Sequence, residues 1–176
     1  MKKYYGLWLL LSRKDNKLLQ PLIKKLSLIH SDGNKFIPHL STTNSRLTTK
    51  GDAIRSIDKY FKKTKSFKIF TDKISYSKKW SKTLFIQIKD NHRLTKISSH
   101  FSIYLGSSHD QYIFNPHISL IYNEKLNTKT KIQIIKNLEI PKSFTISGTA
   151  LVYPGNKNDK WRDYSKWKIV YKKLFS

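Results

Sequence analysis

The chain opens on an unbroken apolar run, Tyr4-Tyr-Gly-Leu-Trp-Leu-Leu-Leu11. Its length and lack of alternation predict a central strand, buried on both faces. Leu22, Ile23, Leu26 and Ile29 then recur at helical spacing, with Pro21 in the first turn, where a missing N–H costs nothing. Ser31-Asp-Gly-Asn34 reads as a turn and Phe36 to Thr43 as a second strand. Thr48-Thr-Lys-Gly-Asp52 opens a second helix, striped by Ala53, Ile54, Ile57, Tyr60 and Phe61.

Phe67, Ile69, Ile74 and Tyr76 suggest a third strand, joined as a hairpin to Leu84-Phe-Ile-Gln-Ile88 through the polar stretch Ser77 to Lys82. Leu94, Ile97, Phe101 and Tyr104 predict a helix from about Arg93 to Leu105, ended by Gly106. A polar loop from Gly106 to Gln111 leads into a strand from Tyr112 to Tyr122. Ile132, Ile135 and Leu138 mark a fourth helix, stopped by Pro141. Ser143 to Tyr153 and about Trp161 to Phe175 form the last two strands, with Pro154-Gly-Asn-Lys-Asn-Asp159 as a hairpin loop between them. Strands and helices mix with several hairpin steps, which predicts an α+β fold rather than a doubly wound sheet. The length of 176 residues suits a single domain of two small lobes spanning 1–176.

Composition narrows the chemistry. Without cysteine there is no disulfide and no Cys-based zinc or redox site. Met1-Lys-Lys3 followed by the apolar run resembles a signal peptide at first sight. The run is too short for a membrane span and no small-residue cleavage site follows, so the expectation is a cytoplasmic protein with no membrane partner. Lys and Arg number 35 against 11 Asp and Glu, a formal charge of +24. A field of that size attracts anions, phosphate-rich ligands above all. The basic residues are nevertheless scattered lysines among many Ile and Asn, a pattern that compositional drift also produces. The Lys-rich stretch Lys59 to Lys65 reads as a solvated helix face.

One internal similarity carries the functional reading. Phe36-Ile-Pro-His-Leu-Ser41 recurs as Phe114-Asn-Pro-His-Ile-Ser119, the two histidines 78 residues apart. Each copy follows a loop and enters an apolar strand, as equivalent strands of two pseudo-symmetric lobes would. Residues i and i+2 of a strand share a face, so His39 goes with Ser41 and His117 with Ser119. Side by side around a pseudo-twofold axis, the copies present two imidazoles and two hydroxyls to one cleft. That set suits in-line displacement at phosphorus. A neutral imidazole takes a proton from water, an imidazolium gives one to the leaving oxygen, and the hydroxyls donate to the non-bridging oxygens. The sequence has no carboxylate cluster beside the histidines, so no metal or other cofactor is expected.

Two His-x-Ser-aliphatic motifs in this context resemble the 2H phosphoesterase superfamily, and most closely its cyclic phosphodiesterase branch. Phe36–Ser41 resembles that branch's first motif and Phe114–Tyr122 its second, ending in a tyrosine. Tyr5-Gly-Leu-Trp8 is similar to its aromatic first strand, and Trp167 stands where its last strand carries a tryptophan. The resemblance implies a bilobal fold whose antiparallel-rich sheets line a central cleft. It implies catalytic roles for His39, Ser41, His117 and Ser119, and substrate contacts for Tyr122 and Trp8. It also implies opening of a ribose cyclic phosphate, a 2′,3′-cyclic nucleotide or ADP-ribose 1″,2″-cyclic phosphate, to a 2′- or 1″-phosphomonoester; separately, the protein is expected to be a monomer. Both hydroxyl positions are Ser, where the family often has Thr in the first motif.

Several alternatives stay open from sequence. Either histidine can be the base. Strand parity turns Tyr122 away from Ser119 unless the strand ends nearby, and Trp8 reads first as core and second as a stacking platform. Trp161, Arg162 and Trp167 read first as hairpin packing. His30, His92, His100 and His109 lack motif context and read as surface or helix-end residues. The substrate alternatives are an RNA end or a linked or cyclic oligonucleotide. A binding module for RNA or nucleotides without turnover is the reading from another class.

Overall fold

A computed structural model describes residues 1–31, 33, 36–43, 46–104, 114–155 and 163–176. Among them four helices and eight strands alternate along the chain. They are β1 (Lys3–Leu11), α1 (Arg13–His30), β2 (His39–Ser41), β3 (Arg46–Thr48), α2 (Lys50–Tyr60), β4 (Phe67–Tyr76), β5 (Leu84–Ile88), α3 (His92–Tyr104), β6 (His117–Ile121), α4 (Thr128–Lys136), β7 (Ser143–Tyr153) and β8 (Lys168–Leu174). All strand pairings are antiparallel, in the order β3-β1-β2-β6-β5-β4-β7-β8, and β1 also pairs with β7. The fold is α+β.

Six strands close a circuit, β1-β2-β6-β5-β4-β7 and back to β1, made of two matching halves. In one half Leu9 of β1 lies opposite Leu40 of β2; in the other Ile86 of β5 lies opposite Ile118 of β6. The halves meet twice, each time through equivalent strands: β2 with β6 at Leu40↔Ile118, and β4 with β7 from Phe67↔Ile146 to Phe70↔Ser143. A pseudo-twofold axis therefore passes through both seams. The two lobes expected from the repeated motif are these halves, and their sheets line the cleft between them.

Each helix starts on a side-chain cap. Ser12 accepts from the Asp15 amide at 3.2 Å, Thr49 from that of Asp52 at 3.1 Å, Asn91 from that of Arg93 at 2.9 Å and Asn127 from that of Thr130 at 2.8 Å. Leu19, Ile23 and Leu26 of α1 and Leu94, Ile97 and Phe101 of α3 bury one stripe each against the sheet face that carries Leu7, Leu9, Leu40, Ile86 and Ile118. Each fully buried aliphatic there contributes about 1.5–3 kcal/mol. The opposite face of β1 and β7 holds a separate cluster of Trp8, Leu10, Ala150 and Val152, with Trp167 against it. That is the cleft side. Gly148 sits on this side where β7 and β8 approach so closely that a Cβ would lie 2.8 Å from the Lys173 carbonyl oxygen.

Several element boundaries differ from the sequence reading. The first helix begins at Arg13, so Pro21 lies inside it rather than in its first turn. The polar Arg13-Lys-Asp-Asn-Lys17 segment hides the periodicity there, while the Ser12–Asp15 cap sets the start. The second and fifth expected strands shrink to three and five residues, His39–Ser41 and His117–Ile121. Pro38 and Pro116, lacking an N–H, stand just ahead of each ladder. The three-residue β3 was not apparent from the sequence, and the last strand starts at Lys168, after a 3-10 turn at Tyr164–Lys166. The expected turn around Asp32 and Asn34, the end of α3 at Leu105 and Gly106, the polar loop to Gln111, and Tyr112 lie outside the described residues. So do His109, Trp161, Arg162 and most of the loop expected at 154–159.

Candidate active site

The seam between β2 and β6 builds the site. Leu40 pairs with Ile118 and both side chains enter the core. In an antiparallel ladder their neighbours also face one another, so His39 comes opposite Ser119 and Ser41 opposite His117, all on the cleft face. The four residues expected from the two motifs are brought together.

Both imidazoles are held alike. His39 Nδ1 lies 2.7 Å from the Ile37 carbonyl oxygen and His117 Nδ1 lies 2.8 Å from that of Asn115. A carbonyl only accepts, so each Nδ1 carries the proton and each Nε2 lone pair is left for chemistry in the cleft. The Phe-x-Pro-His pattern explains how this is enforced. A residue preceding proline is confined to extended backbone, so the carbonyl of Ile37 or Asn115 stands at a fixed angle beneath its histidine.

Burial makes the charged ring unfavourable. His39, buried, is lowered to about 4 chiefly by desolvation, with the nearby His117 adding to the effect. His117 is likewise lowered to about 4, by desolvation first and the positive charge of Lys82 after it. His117 is partly exposed, whereas His39 is buried. With a depressed pKa in each ring, the pair holds at most one proton near neutrality.

The hydroxyls are not equivalent. The side chain of Ser41, partly exposed, makes no hydrogen bond among the described residues and is free to donate to a ligand. Ser119 is buried and donates to the Ser81 carbonyl oxygen at 2.9 Å. The Tyr122 hydroxyl lies beside the Ser119 side chain, which partly offsets the rise in Tyr122 pKa that burial causes.

The family model described as "Cyclic phosphodiesterase-like protein" matches residues 4–170. The chain belongs to this family. Solved structures of similar architecture include E. coli LigT complexed with 3′-AMP, at 10% identity and a TM-score of 0.62 over 100% of this chain and 99% of that one. TT0787 of Thermus thermophilus matches at 12% identity and a TM-score of 0.63, covering 98% and 97%. Kluyveromyces marxianus Usb1 matches at 12% identity and a TM-score of 0.54, covering 85% and 93%. At such identities the shared property is the fold of the 2H phosphoesterase superfamily. No curated protein matches the chain in sequence.

In this cyclic phosphodiesterase-like chain, aromatics wall the cleft on the His39 side. Trp8 stacks on His39 with ring centroids 3.6 Å apart and planes 12° from parallel. Trp167 meets Trp8 edge-on at 5.4 Å. With 8% of its surface exposed, Trp8 backs the imidazole and offers little more than an edge to anything else. Tyr122, buried in the core cluster, turns its ring toward this aromatic wall, 5.8 Å from Trp167, because β6 stops at Ile121 and strand parity no longer applies. The departing backbone is tied down by the Ser31 hydroxyl on the Tyr122 carbonyl at 2.9 Å and by the Asn123 side-chain amide on the His30 carbonyl at 2.6 Å. The Tyr122 ring packs against Phe36 at 4.4 Å and Trp80 at 4.8 Å, and burial raises its pKa.

Sequence reasoning missed Trp80, Ser81, Lys82 and Phe85. They sit on the β4–β5 hairpin and the start of β5, the counterpart of Trp8 being Phe85, 5.4 Å from His117. The internal repeat carries that signal: β5 bears the relation to the second motif that β1 bears to the first. His30 and His92 stand at the ends of α1 and α3. His100 packs on Tyr60 at 4.3 Å, away from the motifs. Among the described residues there is no group of three His, Asp or Glu side chains placed to hold a metal, and no helix long and apolar enough to cross a membrane.

Proposed function

We propose that this protein opens a ribose cyclic phosphate to a phosphomonoester without a metal, using His39 and His117 as a base and acid pair. The reading is carried by the paired Nε2 atoms, each with its tautomer fixed by a carbonyl, flanking one cleft in a cyclic phosphodiesterase-like chain. One neutral imidazole takes a proton from water as the water oxygen bonds to phosphorus. The opposite P–O ester bond breaks, and the imidazolium delivers its proton to the departing ribose oxygen. The proton taken and the proton given balance, and the histidines end with their states exchanged.

His117, the more exposed of the two, is the acid in this scheme and His39 the base. Ser41 donates to a non-bridging oxygen, where charge gathers in the transition state. Trp8 keeps the His39 ring in plane. Exposed edges of Trp80 and Trp167 border the cleft and suit a nucleoside base, in keeping with a nucleotide substrate and with the 3′-AMP complex of E. coli LigT. Linked oligonucleotides remain the second reading, supported by the charge of +24.

The test is incubation with 2′,3′-cyclic AMP in EDTA, resolving 2′- from 3′-phosphate. The expected result is a phosphomonoester at a rate unchanged by the chelator. Turnover lost in EDTA and restored by a divalent ion overturns the metal-free mechanism, and binding without turnover supports a non-catalytic module.

A further inference from the structure

The lip of the cleft beside His117 carries a cation with no counter-charge among the described residues. Lys82 ends the 3-10 turn Trp80–Lys82, half buried, with its ammonium 5.8 Å above the Phe85 ring. Phe85 lies opposite Ser119 on the cleft face and meets His117 edge-on at 5.4 Å. Lys82 makes no ion pair among the described residues. A partly dehydrated ammonium without a partner is costly, and an anion arriving beside it offsets that cost.

The lip is fixed from several directions. The Ser77 hydroxyl donates to the Lys82 carbonyl at 2.8 Å, and Lys131 Nζ reaches from α4 to the Ser77 carbonyl at 2.9 Å. The Thr83 hydroxyl donates to the Trp80 carbonyl at 3.0 Å and accepts from the Asn123 amide at 3.0 Å. Ser119 closes the set through its bond to Ser81 at 2.9 Å. That last bond also creates a deficit. The first half of the cleft offers the free Ser41 hydroxyl, whereas the Ser119 proton is already committed to a backbone carbonyl.

We propose that Lys82 is the anion-holding residue on the His117 side, its ammonium meeting a non-bridging oxygen of the substrate phosphate where the symmetric arrangement would use Ser119. This rests on the phosphodiesterase reading above. Burial first, and the neighbouring Lys79 charge second, depress the Lys82 pKa, and a bound phosphate relieves both effects. Because the Lys82 charge also helps keep His117 neutral, an anion between them lets His117 hold the proton it must give away.

The experiment compares Lys82→Gln, Lys82→Arg and Lys24→Gln with the parent protein. Lys82→Gln is expected to lower kcat/KM for 2′,3′-cyclic AMP roughly 10²-fold, the scale of one lost donor to developing charge. It should weaken inorganic phosphate as an inhibitor about tenfold. It should also move the pH dependence of kcat/KM toward higher pH, since His117 loses a repelling charge. Lys82→Arg should keep most of the activity, and Lys24→Gln, at an exposed position of α1, should stay within about twofold. Equal kcat/KM and equal phosphate inhibition in Lys82→Gln and parent overturn the proposal. If the parent opens no cyclic phosphate, the functional reading fails, and calorimetry with inorganic phosphate still decides the lysine. Binding lost in Lys82→Gln supports it; equal binding, or none by the parent, overturns it.

Discussion

Leu40 of β2 lies directly opposite Ile118 of β6, and from that pairing the rest of the site follows. Both side chains point into the core, which turns the residues on either side of each toward the cleft. Two histidines and two serines from opposite halves of the chain thus share a surface a few ångströms wide. The site sits on the seam between the two halves.

His39→Ala and His117→Ala should each lower kcat by roughly 10²–10⁴-fold, the range for losing a positioned acid or base. The double substitution should cost much less than the product of the two, because a base without its acid accomplishes little. Steady-state rates on a cyclic nucleotide check this. Either single variant running at near-normal rate refutes the paired mechanism.

Ser41→Ala and Ser119→Ala should differ in kind. Ser41 is free to meet substrate, so its loss should fall mainly on kcat/KM, by about 10²-fold, with little change in Tm. Ser119 bonds the Ser81 carbonyl in a buried position, so its loss should also cost about 1–3 kcal/mol of stability by leaving that carbonyl unsatisfied. Kinetics beside thermal melting separates the two. Identical profiles for both variants contradict the asymmetry.

The motif pair was legible in the sequence because its period-2 spacing survives folding unchanged: His39 and Ser41 share a face in any extended strand. The strand from Ser143 to Tyr153 and that from Leu84 to Ile88 were equally plain, since their apolar runs are bounded by Pro, Lys and Asp. Tyr122 was not settled, because whether a strand ends one residue earlier depends on bonds to Ser31, His30 and Thr83, distant in the chain. Lys82 was invisible for a related reason. One lysine among so many has no local mark, and only the lip's anchorage and the pairing of Phe85 with Ser119 place it at the cleft.

The pH dependence should be displaced toward acid. With both histidines at about 4 in the free protein, the singly protonated pair becomes scarcer as pH rises through neutrality. The optimum of kcat/KM is therefore expected below pH ~6.5, the ordinary histidine value. The alkaline limb of kcat should lie higher, since a bound anion favours the imidazolium. Stability should move the opposite way on acidification. Each folded pKa lies below its unfolded value, so above pH ~6.5 neither state is charged and nothing changes. As pH falls from ~6.5 toward 4 the unfolded chain binds protons that the folded site resists. Buried His39 then costs up to about 3 kcal/mol and the partly exposed His117 less. Melting curves of the parent and His39→Gln between pH 7.5 and 4.5 check this, and equal acid sensitivity in both contradicts the burial argument.

The excess of lysines makes a separate claim about substrate size. If it steers nucleic acid, kcat/KM for an RNA oligomer should fall steeply between low and physiological salt, while a mononucleotide cyclic phosphate responds little. A ligand that meets many cations releases many counterions, and log affinity falls in proportion to their number. Lys78 and Lys79, exposed beside the half-buried Trp80, place charge and an aromatic ring together next to the cleft. Lys78→Gln with Lys79→Gln should therefore flatten the salt slope for the oligomer by about one to two units and leave the mononucleotide rate nearly unchanged. A common shallow slope for both substrates would mean that the charge of +24 does not act on catalysis, and the small cyclic nucleotide would then be the substrate of choice.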